Sequence, residues 1–467
     1  MSASLPDGFT VRIRDDIRVA DSGRTLVGGT PLRAVRFTDR AATIVEDGVV
    51  EVCDKASRVL VDRLLDADLA VPILGAAESC TPDDLTVVIP VRDRAQELER
   101  LLSALRPTLR CIVVDDASHD PAAVANVVKR LGAQLVVLEQ NVGPAGARNA
   151  GLREVSTPLV AFVDSDVMAD PDVLLRLGAH FADPRLALVA PLVKGRAPSD
   201  QPRWFQKYDE IASSLDLGGK ASGVRPGGAV AWLPGACLVA RVDAIGKGFD
   251  DQMRVGEDVD FVWRLTDKGW RVRYDPDFVV DHETRSTVRT WLGRKFVYGT
   301  GGAALAQRHG DLVAPAVLSP TYAAAAIALL AQRPWSIGVA LAAVARAGHV
   351  LNHTLPETPA RSRLAAQLAT DGLVWMARQE SALILRHWWP AAAAAAMFSP
   401  RARRAVLVAA VVDLASYWPH RSSIGPVSYV VARRLDDLAY GAGLWTGAVR
   451  ARSTKALRVR LIRRRTR

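Results

Sequence analysis

From Thr86 onward the chain repeats one pattern: a short apolar run, a few polar residues, then a stretch with apolar positions three and four apart. That alternation restricts the region to strands crossed over by helices, an open and mainly parallel sheet in an α/β fold. Thr86 to Ile89 reads as a strand, and Leu98, Leu101, Leu102 and Leu105 mark the buried face of the helix that follows. Cys111 to Val114 is the second strand. Asp120-Pro121 then offers an N-cap and a first-turn proline to a helix whose inner stripe is Val124, Val127, Val128 and Leu131. Leu135 to Leu138 and Leu159 to Val163 are expected as the third and fourth strands.

Such sheets bind ligands in the crevice beyond the carboxyl ends of their strands. Here those ends carry Arg92-Asp93, Asp115-Asp116 and Asp164-Ser165-Asp166. Three acidic clusters on one edge repel each other unless cations or donors offset them, so a divalent cation is the natural partner. An acid-x-acid turn alone is a common surface loop; at a strand end its hard oxygens suit Mg2+ or Mn2+ that also holds a diphosphate. The loop from Asn141 to Gly151 is poor in bulk and leads into a helix, which lets the backbone approach a nucleotide with Arg148 as a fixed cation. A tight helix entry with Arg148 solvated is the alternative. Glu257, Asp258 and Asp260 put three carboxylates in four positions before the helical run Phe261, Val262 and Leu265. Paired carboxylates supply a candidate general base, although a helix N-terminus favoured by the macrodipole has the same look.

With 467 residues and 49% apolar side chains the chain is too long for one ordinary domain. The expected division is 1–78 (strands plus helices), 84–300 (the α/β region), 301–449 (Ala-rich and helical) and 450–467 (a basic tail). In the first segment Val11 and Ile13, Leu26 and Val27, and Leu32 to Phe37 read as strands. Thr38-Asp39 caps a helix, and a second helix carries Val59, Leu60, Leu64 and Leu65. Leu312 to Gln332 is uncharged, but Pro315 and Pro320 interrupt it, and Pro334 to Ala345 is too short to span alone. Buried or interfacial helices are therefore expected there rather than a transmembrane span.

The net charge is +10, and nine basic residues lie between Arg450 and Arg467. A nucleic-acid binder carries its basic stripe on the folded domain, so nucleic acid is not the expected partner. Leu457 and Leu461, four apart, fit a short basic amphipathic helix, which points to an anionic membrane surface; a solvated tail is the alternative. The four cysteines, Cys53, Cys80, Cys111 and Cys237, form no metal or disulfide pattern and read as buried or half-buried thiols. Met1 to Asp16 lacks the features of a signal peptide, so the expected location is the cytoplasm, at most the inner face of the membrane.

Thr86 to Pro90, Val113 to Ser118, Asn141 to Gly151, Val163 to Asp166, Leu233 to Cys237, Gly248 to Asp250 and Glu257 to Arg264 stand in one order and spacing. In both, the region resembles the inverting GT-A glycosyltransferases of family two. The resemblance implies a Rossmann-like nucleotide-sugar-binding domain. It also implies roles for particular positions. Asp116 bonds the uracil ring, Asp93 lies in the loop around base and ribose, and Asp164 is near the ribose and donor sugar. Asp166 is the metal ligand and Asp258 the base that deprotonates the acceptor. His282 matches a histidine that in some members completes the metal or diphosphate site, although a lone histidine is more often structural. Arg92 departs from the family, many of whose members stack an aromatic residue on the base.

The first segment resembles small winged-helix-like peptide-recognition domains, which add a leader peptide to a strand edge. A plain packing domain is the alternative. The whole chain resembles the mycofactocin-system glycosyltransferases. That resemblance implies UDP-glucose as donor, premycofactocin or its peptide precursor as acceptor, and a β-1,4-linked oligoglucan as product. Two other readings stay open: a membrane-associated sugar transferase acting on a lipid-linked acceptor, and a non-enzymatic peptide-binding scaffold. Asp116, Asp164, Asp166 and Asp258 standing together speak against the scaffold.

Overall fold

The computed structural model describes residues 4–75 and 80–462. The chain forms two compact units, Met1–Pro198 with Ala212–Thr284, and Ser199–Ile211 with Arg285–Arg467.

The first unit opens with β1 (Thr10–Ile13), β2 (Arg18–Ala20), β3 (Thr25–Gly28), β4 (Arg33–Arg36), α1 (Asp39–Ile44), β5 (Val49–Glu51), α2 (Lys55–Asp66) and β6 (Ala70–Ile73). These strands make two antiparallel sheets, ordered β5-β1-β6 and β2-β3-β4. Thr38 caps α1 by accepting from the Ala41 amide, and Asp54 and Ser57 cap α2 reciprocally. The inner stripe of α2 is Ser57, Val61, Leu64 and Leu65, whereas Val59, expected in it, is 44% exposed. Val61 and Leu64 pack with Phe9, Val11, Leu26 and Leu69 in one core. Ion pairs tie this segment to the large sheet. Arg271 reaches Asp62 at 2.7 Å and Asp66 at 2.8 Å, and Arg185 reaches Asp66 at 3.0 Å. The expected end of the segment at residue 78 lies outside the described residues.

The large sheet is built from β7 (Leu85–Val91), β8 (Arg110–Asp115), β9 (Gln134–Val137), β10 (Leu159–Val163), β11 (Val167–Met168), β12 (Leu186–Arg196), β13 (Ser222–Gly223), β14 (Cys237–Arg241) and β15 (Arg271–Glu283). Its order is β11-β15-β12-β14-β10-β7-β8-β9, with β13 on β15. The first four expected strands and the two helices between them form at their expected places. These helices are α3 (Ala95–Leu105), which turns its leucines inward, and α4 (Pro121–Leu131), capped by Asp120. They are followed by α5 (Gly143–Leu152) and α6 (Pro171–Ala179). Two later elements decide the site. Strand β14 runs antiparallel to β10, so its first residue, Cys237, pairs with Val163 and brings the Leu233–Cys237 segment to the carboxyl edge of β7, β8 and β10. Beyond the short helix α8 (Val242–Ile245), α9 (Glu257–Asp267) begins at the carboxylates and leads into β15.

The second unit contains α7 (Trp204–Ile211), α10 (Val288–His309), β16 (Val317–Leu318), α11 (Pro320–Ala331), α12 (Ser336–Thr354), α13 (Arg361–Ala382), α14 (Trp389–Phe398), α15 (Pro400–Leu414), α16 (Pro426–Arg450) and β17 (Arg460–Leu461). Its longer stretch runs from Arg285, and α10 continues unbroken through residue 300, where a boundary was expected. Helices α10 and α16 meet backbone to backbone: a Cβ on Gly299 would stand 2.1 Å from the Tyr440 carbonyl oxygen. Buried Lys295 is neutralised by Asp209 at 3.0 Å and Asp436 at 3.4 Å. The uncharged run from Leu312 is divided between β16 and the 12-residue α11, about 18 Å long. Among the described residues no helix is long and apolar enough to cross a membrane.

The basic amphipathic helix expected near Leu457 and Leu461 does not form. Lys455–Leu457 is a single 3-10 turn, and Arg460–Leu461 pairs in parallel with β16, so the backbone is extended where a helix was expected. Arg463, Arg464, Arg465 and Arg467 of the tail lie outside the described residues. The four thiols are free; Cys53 is exposed rather than buried, while burial pushes Cys111 and Cys237 up to about 12.

Candidate active site

The carboxyl edge of the sheet gathers acidic groups, each held by a different element. After β7, Asp93 adopts a left-handed backbone (φ 56°), and its carboxylate accepts the His119 amide at 2.6 Å and faces the His119 ring at 2.8 Å. The His119 bonds hold Asp93 below the usual carboxylate range. After β8, buried Asp116 accepts the amides of Val142 at 2.7 Å and Gly143 at 2.9 Å. This carboxylate therefore fixes the small-residue loop at the start of α5. Gly143 has φ 81°, a conformation that side chains resist.

After β10, Asp164 and Asp166 point to different partners. Asp164 is half-buried and binds Arg148 at 2.6 Å. Asp166 is buried, pairs with Arg94 and has His282 Nε2 at 3.5 Å. His282 reaches Asp166 because β15 pairs with β11, with His282 opposite Val167. The pair fits a divalent cation in part: one hard carboxylate and one imidazole at a strand end, with Arg94 now balancing the carboxylate charge. Among the described residues no cluster of three or more His, Cys, Asp and Glu side chains could hold a metal alone. An ion bound here would take its remaining ligands from water and from substrate phosphate.

Arg148 was expected to face the nucleotide; its side chain is only 2% exposed and lies beneath the site. It donates to Asp164, to Glu257 at 3.1 Å and to the Gly235 carbonyl at 3.0 Å, and its guanidinium lies over the Phe249 ring. Burial works against the Arg148 charge, yet Asp164 and Glu257 outweigh it and raise its pKa. One cation thus joins the end of β10, the start of β14 and the start of α9.

Asp258 is the second residue of α9, behind Gly256 with φ 81°. One of its oxygens accepts the Gly235 amide at 3.1 Å, and the other the Val259 amide at 2.8 Å. A helix N-terminus and two donors favour the carboxylate, but burial and neighbouring Glu257 prevail and push Asp258 up to about 7. It remains partly open to solvent. Asn149 steadies the adjoining loop, accepting the Phe249 amide at 2.9 Å and donating to the Phe249 carbonyl at 2.8 Å. Asp93, Asp116, Asp164, Asp166, Asp258 and His282, the candidates of the sequence pattern, all stand along this edge. Arg94, which pairs with Asp166, is not among those candidates, although a cation one residue after Asp93 on the same turn is a readable signal.

Most of this mixed sheet, with its acidic edge, lies in a region, residues 86–244, that the Glycosyl transferase family 2 model matches. Two Mycobacterium tuberculosis proteins, from strains CDC 1551 / Oshkosh and ATCC 25618 / H37Rv, are each described as "Pre-mycofactocin glycosyltransferase". Each is 41% identical to this chain, with 97% of the chain and 98% of the relative covered. The chain belongs to the pre-mycofactocin glycosyltransferase family, within the family-two glycosyltransferases. A solved mannosyltransferase of Pyrobaculum calidifontis, in complex with GDP-Man and Mn2+, is 22% identical with a TM-score of 0.38, over 72% of this chain and 88% of that one.

Proposed function

We propose that this enzyme is an inverting glucosyltransferase that moves glucose from UDP-glucose to premycofactocin and extends it as a β-1,4-linked oligoglucan. The observation that carries the mechanism is Asp258: a partly open carboxylate, aimed by two backbone amides, with proton affinity near neutrality. The acceptor is supported by whole-length similarity to relatives named for pre-mycofactocin. The donor is supported by the resemblance of the Asp93 and Asp116 loops to those that hold uridine.

The acceptor hydroxyl oxygen forms a bond to the anomeric carbon while the bond from that carbon to the diphosphate breaks. The hydroxyl proton passes to Asp258, and an α-linked donor gives a β-linked product. Asp93 and Asp116 flank the base and ribose, Asp164 faces the donor sugar, and Arg148 holds Asp164 and Glu257 in register. Asp166 and His282 would hold Mg2+ or Mn2+, which when bound offsets the charge on the leaving diphosphate. Arg94 adds a cation on the same side.

The test is nucleoside diphosphate release with premycofactocin and a panel of nucleotide sugars. UDP-glucose should be turned over fastest; preference for another sugar or base would refute the donor assignment. For the N-terminal strands, added precursor peptide should compete with the peptide-derived acceptor; failure to compete would remove a recognition role. One observation favours a second reading, a lipid-linked acceptor at an anionic membrane. In the second unit Met397 and Phe398 are 69% and 85% exposed, next to Arg401, Arg403 and Arg404. Sedimentation with vesicles containing phosphatidylserine decides that reading, and an enzyme left in the supernatant ends it.

A further inference from the structure

The segment from Gly248 to Gly256 leads into α9 and so decides where Asp258 stands. Two buried side chains anchor it, Phe249 and Met253, each 4% exposed. The next residue, Arg254, is exposed and reaches across to the loop that opens α5. Its Nη1 donates to Asn141 Oδ1 at 2.7 Å, and its Nη2 donates to the Asn141 carbonyl at 3.1 Å. The same side chain lies against Gly143, where a Cβ would stand 2.9 Å from Nη1. Gly143 and its neighbour Val142 are the residues whose amides Asp116 accepts. One guanidinium group therefore joins the Asp116 loop to the chain just ahead of Asp258.

Three links run from the α5 region to the approach of α9, and they differ in kind. Arg148, with its side chain 2% exposed, ends on Glu257 and the Gly235 carbonyl, and half-buried Asn149 bonds the Phe249 backbone. Arg254 is the exposed link, and it acts beside a bend. Gly256, two residues on, has φ 81°, so the first turn of α9 takes its direction from how residues 254 and 255 are held. Two donors on one asparagine fix a guanidinium group in orientation as well as in place. The Asp258 carboxylate depends on that direction, because its bond from the Gly235 amide is 3.1 Å long and a shift of about 1 Å breaks it.

We infer that Arg254 is a positioning residue for sugar transfer: by clasping Asn141 it ties the start of α9, and with it Asp258, to the loop that Asp116 holds. The inference rests on the roles proposed above for Asp258 and for the Asp116 loop. Opening the clasp leaves the two Asp116 bonds in place, so the nucleotide side of the site is kept while the base loses its aim. Misplacement of a reacting group by about 1 Å costs up to roughly 10²-fold in rate.

Arg254→Ala, Asn141→Ala and the double variant of the full chain test it by two measurements. Hydrogen exchange without ligand reads the position of Asp258, because the Gly235 amide donates to it and lies in a different segment from both clasp residues. Exchange at Gly235 should quicken about five- to tenfold in each variant. Single-turnover rates should fall roughly tenfold in each single variant, with UDP affinity of Arg254→Ala within about threefold of the wild type. The double variant should be no slower than the slower single one, since both changes remove one interaction. Arg254→Lys, which keeps a donor, should recover part of the rate. Unchanged exchange at Gly235 overturns the inference, as do rate losses that multiply in the double variant or a rate loss in Arg254→Ala matched by an equal loss of UDP affinity. The exchange result holds whichever sugar the wild type transfers, so its failure is separate from failure of the donor assignment.

Discussion

Replacing Asp258 by Asn separates the base from the rest of the site. Removing a positioned base costs roughly 10²- to 10⁴-fold in turnover, whereas UDP affinity should be unchanged because Asp258 is assigned to the acceptor side. The same variant tests the electrostatics. A carboxyl group moved from 3.8 to about 7 favours the protonated form in the fold, so the wild type loses stability as pH rises from about 4 to 7, and the full penalty persists above 7. Three pH units correspond to about 4 kcal/mol at most, and partial exposure halves that to roughly 2. The Asn side chain turns an NH2 toward one of the two amides that Asp258 now accepts, which returns about 1 kcal/mol. The Asn variant should therefore equal the wild type near pH 5 and exceed it by about 1 kcal/mol near pH 8. Melting temperature measured across that range, beside single-turnover kinetics, reads both effects. A loss of turnover below tenfold, or a stability difference that does not grow with pH, would refute the reasoning.

Three further outcomes follow from the geometry. Arg148→Met leaves Asp164 and Glu257 without their shared cation and should cost about 3–5 kcal/mol, seen as a lowered melting temperature. Gly151→Ala puts a Cβ 2.4 Å from a Val88 methyl group and should destabilise by about 1–3 kcal/mol, while Gly219→Ala, with nothing within 4 Å, should be neutral. Chelation should suppress turnover, and Mn2+ or Mg2+ should restore it in the wild type but not in Asp166→Ala; activity that ignores the chelator would remove the cation from the mechanism.

The strands from β7 to β10 were legible because each pairs an apolar run with a polar end, and the acids at those ends came with them. Strand β14 was harder to place. Its antiparallel insertion is a matter of pairing partners, which no local pattern encodes, yet it brings Gly235 to Asp258. Arg148 was visible as a cation in the right loop, but its direction was not. Gly151 lets α5 settle onto β7 and β8, and Arg148, on the same helix, turns under the site toward Asp164 and Glu257. The i, i+4 spacing of Leu457 and Leu461 was compatible with a helix, but pairing of β17 with β16 overrode it.

Sugar transfer to a peptide-derived acceptor with Asp258 as base can be read in one measurement. Mass spectrometry of premycofactocin incubated with the enzyme, UDP-glucose and Mn2+ tests it most directly. The wild type should give a ladder of successive hexose additions, and Asp258→Asn roughly 10²-fold less product, or lower still, in the same time. An unmodified acceptor with the wild type, or the same ladder from the variant, would contradict it.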